Sequence, residues 1–184
     1  MRPRQPLPRL WLVSDERMTG GIEAVMVRLP RGAGVIFRHY RTPAAERAWL
    51  FSRAQAIARA RRQVLLLAGS AHAAVGARAA GVHGRARHRT PTHLIRSAPA
   101  HDGAELLAAI RAGADVVLVS PLFATRSHPG ARPLGPVRFG LMVRRARSGG
   151  KAPLLVALGG MDGRRFRRLR ALGAEGWAAI DALS

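Results

Sequence analysis

Eight short apolar runs separated by longer amphipathic segments constrain this chain more than anything else in its sequence. The runs are RLWLVSD (9–15), GVIFRHY (34–40), QVLLLAG (63–69), AGVHG (80–84), THLIRSAP (92–99), DVVLVSP (115–121), PLLVALGG (153–160) and EGWAAIDAL (175–183). Most are continuous rather than alternating, the pattern of parallel strands buried on both faces. Between them, residues 20–32, 43–62, 71–81, 101–114, 135–150 and 162–174 repeat apolar side chains at helical spacing. Asp102 and Asp162 suit N-caps, and Gly113, Gly149 and Gly173 stand where helices end. Strands alternating with helices point to a compact (β/α)8 TIM barrel or, failing closure, to a doubly wound sheet. Residues 85–91, RARHRTP, leave room only for a short fourth helix, and the sequence stops just past strand eight, a truncated C-terminal end. Residues 1–8 read as a flexible lead-in and 9–184 as a single domain.

In a barrel the site lies at the C-terminal ends of the strands. Those ends carry Ser14, Asp15, Arg38, Tyr40, Gly69, Ser70, His83, Ser97, Gly159, Gly160, Ile180 and Asp181, together with the loop SPLFATRSHPGARPLGP (120–136). That loop combines prolines and glycines with Thr125, Arg126, Ser127 and His128, so its shape is restricted while hydroxyl, guanidinium and imidazole groups gather on it. Hydroxyls, cations and bare backbone suit an oxygen-rich anionic ligand. The pair Gly159–Gly160, ahead of a helix headed by Asp162, offers N–H groups to phosphate. No histidine–carboxylate spacing resembles a zinc site.

Composition narrows the partners. The net charge is +21, and 30 of the 31 basic residues are arginine, Lys151 being the exception. They are spread along helix faces with few aromatics between them, so the pattern lacks a base-stacking platform and specific nucleic-acid binding is not expected. Cysteine is absent, which removes disulfides and thiolate metal sites and makes a cytoplasmic setting the expectation. No apolar run is long enough for a membrane span.

The segments LWLVSD, GVIFRHY, AAGVHG, AGADVVLVSPLFATRSHPG with PLGP, LLVALGGMD and GAEGWAAIDAL, over residues 9–183, resemble the thiamine phosphate synthase and thiazole tautomerase (TenI-like) family. The resemblance implies a barrel that joins a hydroxymethylpyrimidine diphosphate to a thiazole phosphate, releasing pyrophosphate with Mg2+. It casts Arg38 and His128 as the catalytic cations on the diphosphate. Ser97, Thr125, Ser127, Gly159, Gly160 and Ile180 take substrate- and phosphate-binding roles, with His83, Arg85 and Tyr40 as secondary candidates. Departures are specific: Tyr40 and His128 stand where the family has lysines, Pro121 where tautomerases have a histidine. The two magnesium aspartates fall on AGS and GRAR, so no metal ligand is assigned. Small-molecule phosphates are the expected partners; the oligomeric state is not legible. The alternatives are a tautomerase-like or non-catalytic barrel for thiazole or pyrimidine phosphates, and a basic polyanion-binding protein without catalysis.

Overall fold

The computed structural model describes residues 6–85, 91–125, 130, 132–150 and 152–183. Eight parallel strands close on themselves in chain order: β1 (Leu10–Val13), β2 (Gly34–Phe37), β3 (Val64–Ala68), β4 (Gly81–His83), β5 (Ile95–Ala100), β6 (Val116–Val119), β7 (Leu154–Ala157) and β8 (Gly176–Ala179). Closure settles the choice between barrel and open sheet, because β8 pairs with β1 through Leu10 and Trp177. The helices are α1 (Gly21–Arg28), α2 (Ala44–Arg61), α3 (Ala71–Gly76), α4 (Gly103–Arg111), α5 (Gly135–Arg147) and α6 (Gly163–Leu169). Short 3-10 turns follow at Arg170–Leu172 and Asp181–Leu183. Among the described residues no helix joins β4 to β5; residues 86–90, where a short fourth helix was expected, lie outside them.

The continuous apolar runs are explained by what covers each face. Trp11, Ile36, Leu66, Ile95, Val116, Leu118 and Val156 fill the barrel interior. The alternate residues, such as Leu12, Val35, Phe37, Val117 and Leu155, pack outward under the helices in two further clusters. Trp11 is completely buried and occupies the space over β2, where a Cβ on Gly34 would lie 2.2 Å from its ring. Ahead of β1, Pro8 is buried and accepts a hydrogen bond from the Trp11 indole, 2.7 Å, and Leu7 packs against the interior cluster. Apolar burial therefore begins before residue 9.

Helix boundaries follow local chemistry. The Asp102 carboxylate accepts from Glu105 N (2.8 Å) and that of Asp162 from Arg165 N (2.7 Å), as their positions before an apolar repeat suggested. Gly113 and Gly173 take left-handed conformations after α4 and after the first 3-10 turn, but beyond α5 it is Gly150, not Gly149, that does so. The third helix ends at Gly76 instead of running to 81, and the chain reverses through Arg78, a non-glycine residue at φ 51°.

Candidate functional site

The mouth of the barrel holds a cavity of about 600 Å3, walled by residues from β1, β2, β4, β5, β6, β7 and β8 and the loops after them. Arg38, Tyr40, His83, Thr125, Gly159, Gly160 and Ile180, all expected at the site, line it. Ser127 and His128 lie outside the described residues.

Arg38 is held in place by a scaffold that reasoning on single strand ends did not anticipate. Its Nε donates to Ser14 O (3.1 Å) and its Nη2 to Asp15 Oδ2 (3.3 Å), while its backbone N–H donates to Ser14 Oγ (2.9 Å). No described group meets Nη1. The next residue, His39, sits at φ 38°, a conformation that costs a non-glycine residue energy. Three contacts offset that cost: its ring stacks on Phe37 at 4.3 Å, bonds Ser14 Oγ at 2.9 Å, and its carbonyl accepts from Arg47. Arg47, in the first turn of α2, also donates to Arg38 O and Ala68 O, locking the ends of β2 and β3 together. Asp15 completes the group; hydrogen bonds from Arg17 and the nearby Arg38 hold its carboxyl at about 2, against the desolvation that burial imposes.

His83 and Ser97 are register partners on β4 and β5, which puts the imidazole Nδ1 3.0 Å from the hydroxyl. Ser97 is the third residue of its strand rather than following it, and it is fully buried behind His83. The cavity wall at β5 is formed instead by Pro99 and His101. Burial, reinforced by the Arg38 charge, pushes His83 down to about 4, so it faces the cavity as a neutral ring at physiological pH. Arg85 is exposed and reaches the wall through His101 Nδ1 (2.8 Å) and Glu105 (3.1 Å).

Across the mouth, three strands from β2, the turn after β7 runs against the loop after β6. Leu122 N donates to Leu158 O (2.9 Å) and Phe123 N to Gly159 O (3.1 Å); at the far end of the loop Leu134 N donates to Pro121 O (2.9 Å). Gly159 and Gly160 take left-handed conformations, φ 95° and 59°, and a Cβ on either would lie within 3 Å of the loop backbone. Their N–H groups meet no acceptor among the described residues. Arg165, from the first turn of α6, caps the Gly160 carbonyl and lies 4.7 Å over the Phe123 ring, with its remaining N–H groups at the cavity edge. Only its place five residues beyond Gly160 hints at this in sequence.

All ten carboxylates fall within the described residues. Only Asp162 and Asp181 line the cavity, and Asp162 is committed to capping α6. Asp15 is paired with Arg17 and Arg38, Glu16 accepts from Arg41 N, and Glu105 is held by His101 and Arg85. Asp102 caps α4, Asp115 and Glu175 bind backbone N–H groups at the opposite end of the barrel, and Glu23 pairs with Arg53. Glu46 lies in the first turn of α2, outside the cavity wall. At the ends of β3 and β4 stand Gly69, Ser70, Gly84 and Arg85, and the Ser70 hydroxyl already caps α3. That donor set does not fit Mg2+, which requires hard oxygen ligands. Among the described residues no cluster of three or more metal-ligating side chains occurs, and no helix is long and apolar enough to cross a membrane.

The fold has close counterparts. A thiamine phosphate pyrophosphorylase from Pyrococcus furiosus superposes with a TM-score of 0.77 at 24% identity, over 96% of this chain and 86% of that one. A thiamine phosphate pyrophosphorylase from Bacteroides thetaiotaomicron gives 0.64 at 14%, over 95% and 83%. A search of curated proteins found no match. The family model for thiamine monophosphate synthase matches residues 10–183, so the site just described is built on that family's frame from first strand to last; the chain belongs to the thiamine monophosphate synthase family.

Proposed function

We propose that the protein is a transferase of thiamine biosynthesis, coupling a hydroxymethylpyrimidine diphosphate to a thiazole phosphate, in a cytoplasmic setting. The observation that carries this reading is one cavity with two separate anion positions: the Arg38 guanidinium on one wall and the Gly159–Gly160 N–H groups with Arg165 on another. In the reaction the thiazole nitrogen supplies the electron pair for a new bond to the pyrimidine methylene carbon. The C–O bond to diphosphate breaks, and its electron pair leaves on pyrophosphate. Charge developing on that leaving group needs fixed donors in a partly dry site, and Arg38, immobilised on Ser14 and Asp15, supplies one. Neutral His83, its Nδ1 paired with the buried Ser97 hydroxyl, offers a polar ring to the cavity without adding charge. Thr125, Ser127 and His128, on the loop after β6, are assigned to the diphosphate side, and Ile180 to a backbone phosphate contact.

Mg2+ belongs to this chemistry in the resemblance, but the side chains at the ends of β3 and β4 do not fit it. The same departure, with Tyr40 and Pro121 at the mouth, favours a second reading in which the barrel binds thiazole or pyrimidine phosphates without coupling them. Incubation with both substrates, followed by chromatographic detection of thiamine phosphate, separates the two. Product above a no-enzyme control supports the transferase; saturable binding of each substrate without product supports the second reading.

A further inference from the structure

We infer that the mouth binds its phosphate or diphosphate ligand free of divalent metal, with Arg38 and Arg165 as the countercharge. The inference rests on reading the mouth as a phosphate site, and adds what neutralises the ligand there. A phosphate held through Mg2+ needs protein oxygens on the far side of the ion. The two carboxylates on the cavity wall are poorly suited to that. Asp162 spends its Oδ1 on the Arg165 backbone N–H at the head of α6, and Asp181 follows β8, away from the ends of β3 and β4.

Two guanidinium groups, Arg38 and Arg165, line the cavity instead. Arg38 is fixed along one edge by Ser14 O and Asp15, which leaves Nη1 directed to no described group, with a quarter of the side chain exposed to the cavity. Arg165 is held by the Gly160 carbonyl and lies over the Phe123 ring. Fixed guanidinium forks match phosphate oxygens two at a time and compete with a metal for those same oxygens. Asp15, Asp162 and Asp181 lower the net charge around them, so recognition depends on directed N–H donors rather than on a general positive field.

The test is titration calorimetry of the full chain with inorganic pyrophosphate, in a chelator and again in millimolar magnesium. Saturable binding is expected in the chelator, with an affinity that magnesium leaves unchanged or weakens, because it occupies the oxygens the arginines use. Arg38→Gln and Arg165→Gln should each weaken binding in chelator by about tenfold or more. Arg165 is exposed and outside the β2 scaffold, so its variant remains informative if Arg38→Gln does not fold. Binding that appears only with magnesium, or full affinity in a folded Arg165→Gln protein, overturns the inference while leaving the phosphate reading intact. No binding in either condition overturns the phosphate reading, and the inference with it.

Discussion

His83 shows how little of a residue's chemistry is visible until its neighbour across the sheet is known. Its position at the end of an apolar run marks it as a site candidate, but the run cannot say that Ser97 sits opposite or that the ring is buried. The unfolded chain protonates this histidine near 6.5 and the folded chain only near 4. Acidification through that window therefore favours unfolding, while stability from this group is constant above it. The His83 share of the loss between 6.5 and 4, at most about 3 kcal/mol, should disappear in His83→Gln, while the burial that also lowers His39 leaves a remainder of the same sign. Asp15, which titrates at about 2, contributes its own loss only below that range. Gly160 gives a second prediction. Alanine there meets both a positive φ and Ala124 O at 2.6 Å, whereas alanine at Gly113 meets the same φ penalty in open space. Gly113→Ala should cost about 1 kcal/mol and Gly160→Ala clearly more, with weaker pyrophosphate binding only in the latter.

At the scale of elements, the strands were legible because burial on both faces leaves an unbroken apolar run, and their order needed only alternation with helices. Ends were less legible. The runs overshot the ends of β1, β2, β6, β7 and β8 by two or more residues, because the quoted stretches run on into the residues that line or support the mouth, such as Arg38, Ser120 and Gly160. The caps Asp102 and Asp162 could be read because a carboxylate before a helical repeat has one obvious use; the choice of Gly150 over Gly149 depends on how the chain turns and leaves no trace in composition. Gly34 is a glycine for a reason no local pattern contains. Its neighbour on β1, Trp11, occupies the space of a side chain. Gly34→Ala should destabilise by about 1–3 kcal/mol in thermal or urea unfolding, and combination with Trp11→Leu should recover part of the loss relative to additivity. Strictly additive costs would show that the two residues do not share that space.

At the scale of the whole molecule the question is what +21 charges do. In a (β/α)8 barrel each helix runs back from the mouth, so helix C-termini gather at the opposite end. Ten arginines lie in the last turns of these helices: Arg28, Arg59, Arg61, Arg111, Arg144, Arg145, Arg147, Arg167, Arg168 and Arg170. There they complement the partial negative charge of the helix ends. This separation divides the polyanion reading from the small-ligand reading by geometry. An extended polyanion such as heparin would meet the arginine-rich end, release counterions as it bound, and lose affinity steeply with salt, by about a thousandfold between low and physiological ionic strength if six or more charges are met. Pyrophosphate in the mouth would meet Arg38 and Arg165 at hydrogen-bond range, where screening acts weakly, and should weaken by less than about tenfold over the same range. Arg144 and Arg145 are both exposed at the far end. Replacing both with glutamine should weaken heparin binding and flatten its salt dependence, with pyrophosphate affinity by calorimetry unchanged. If the double variant lost pyrophosphate binding as well, the ligand would be responding to the charge of the whole surface, and the mouth would not be a separate site.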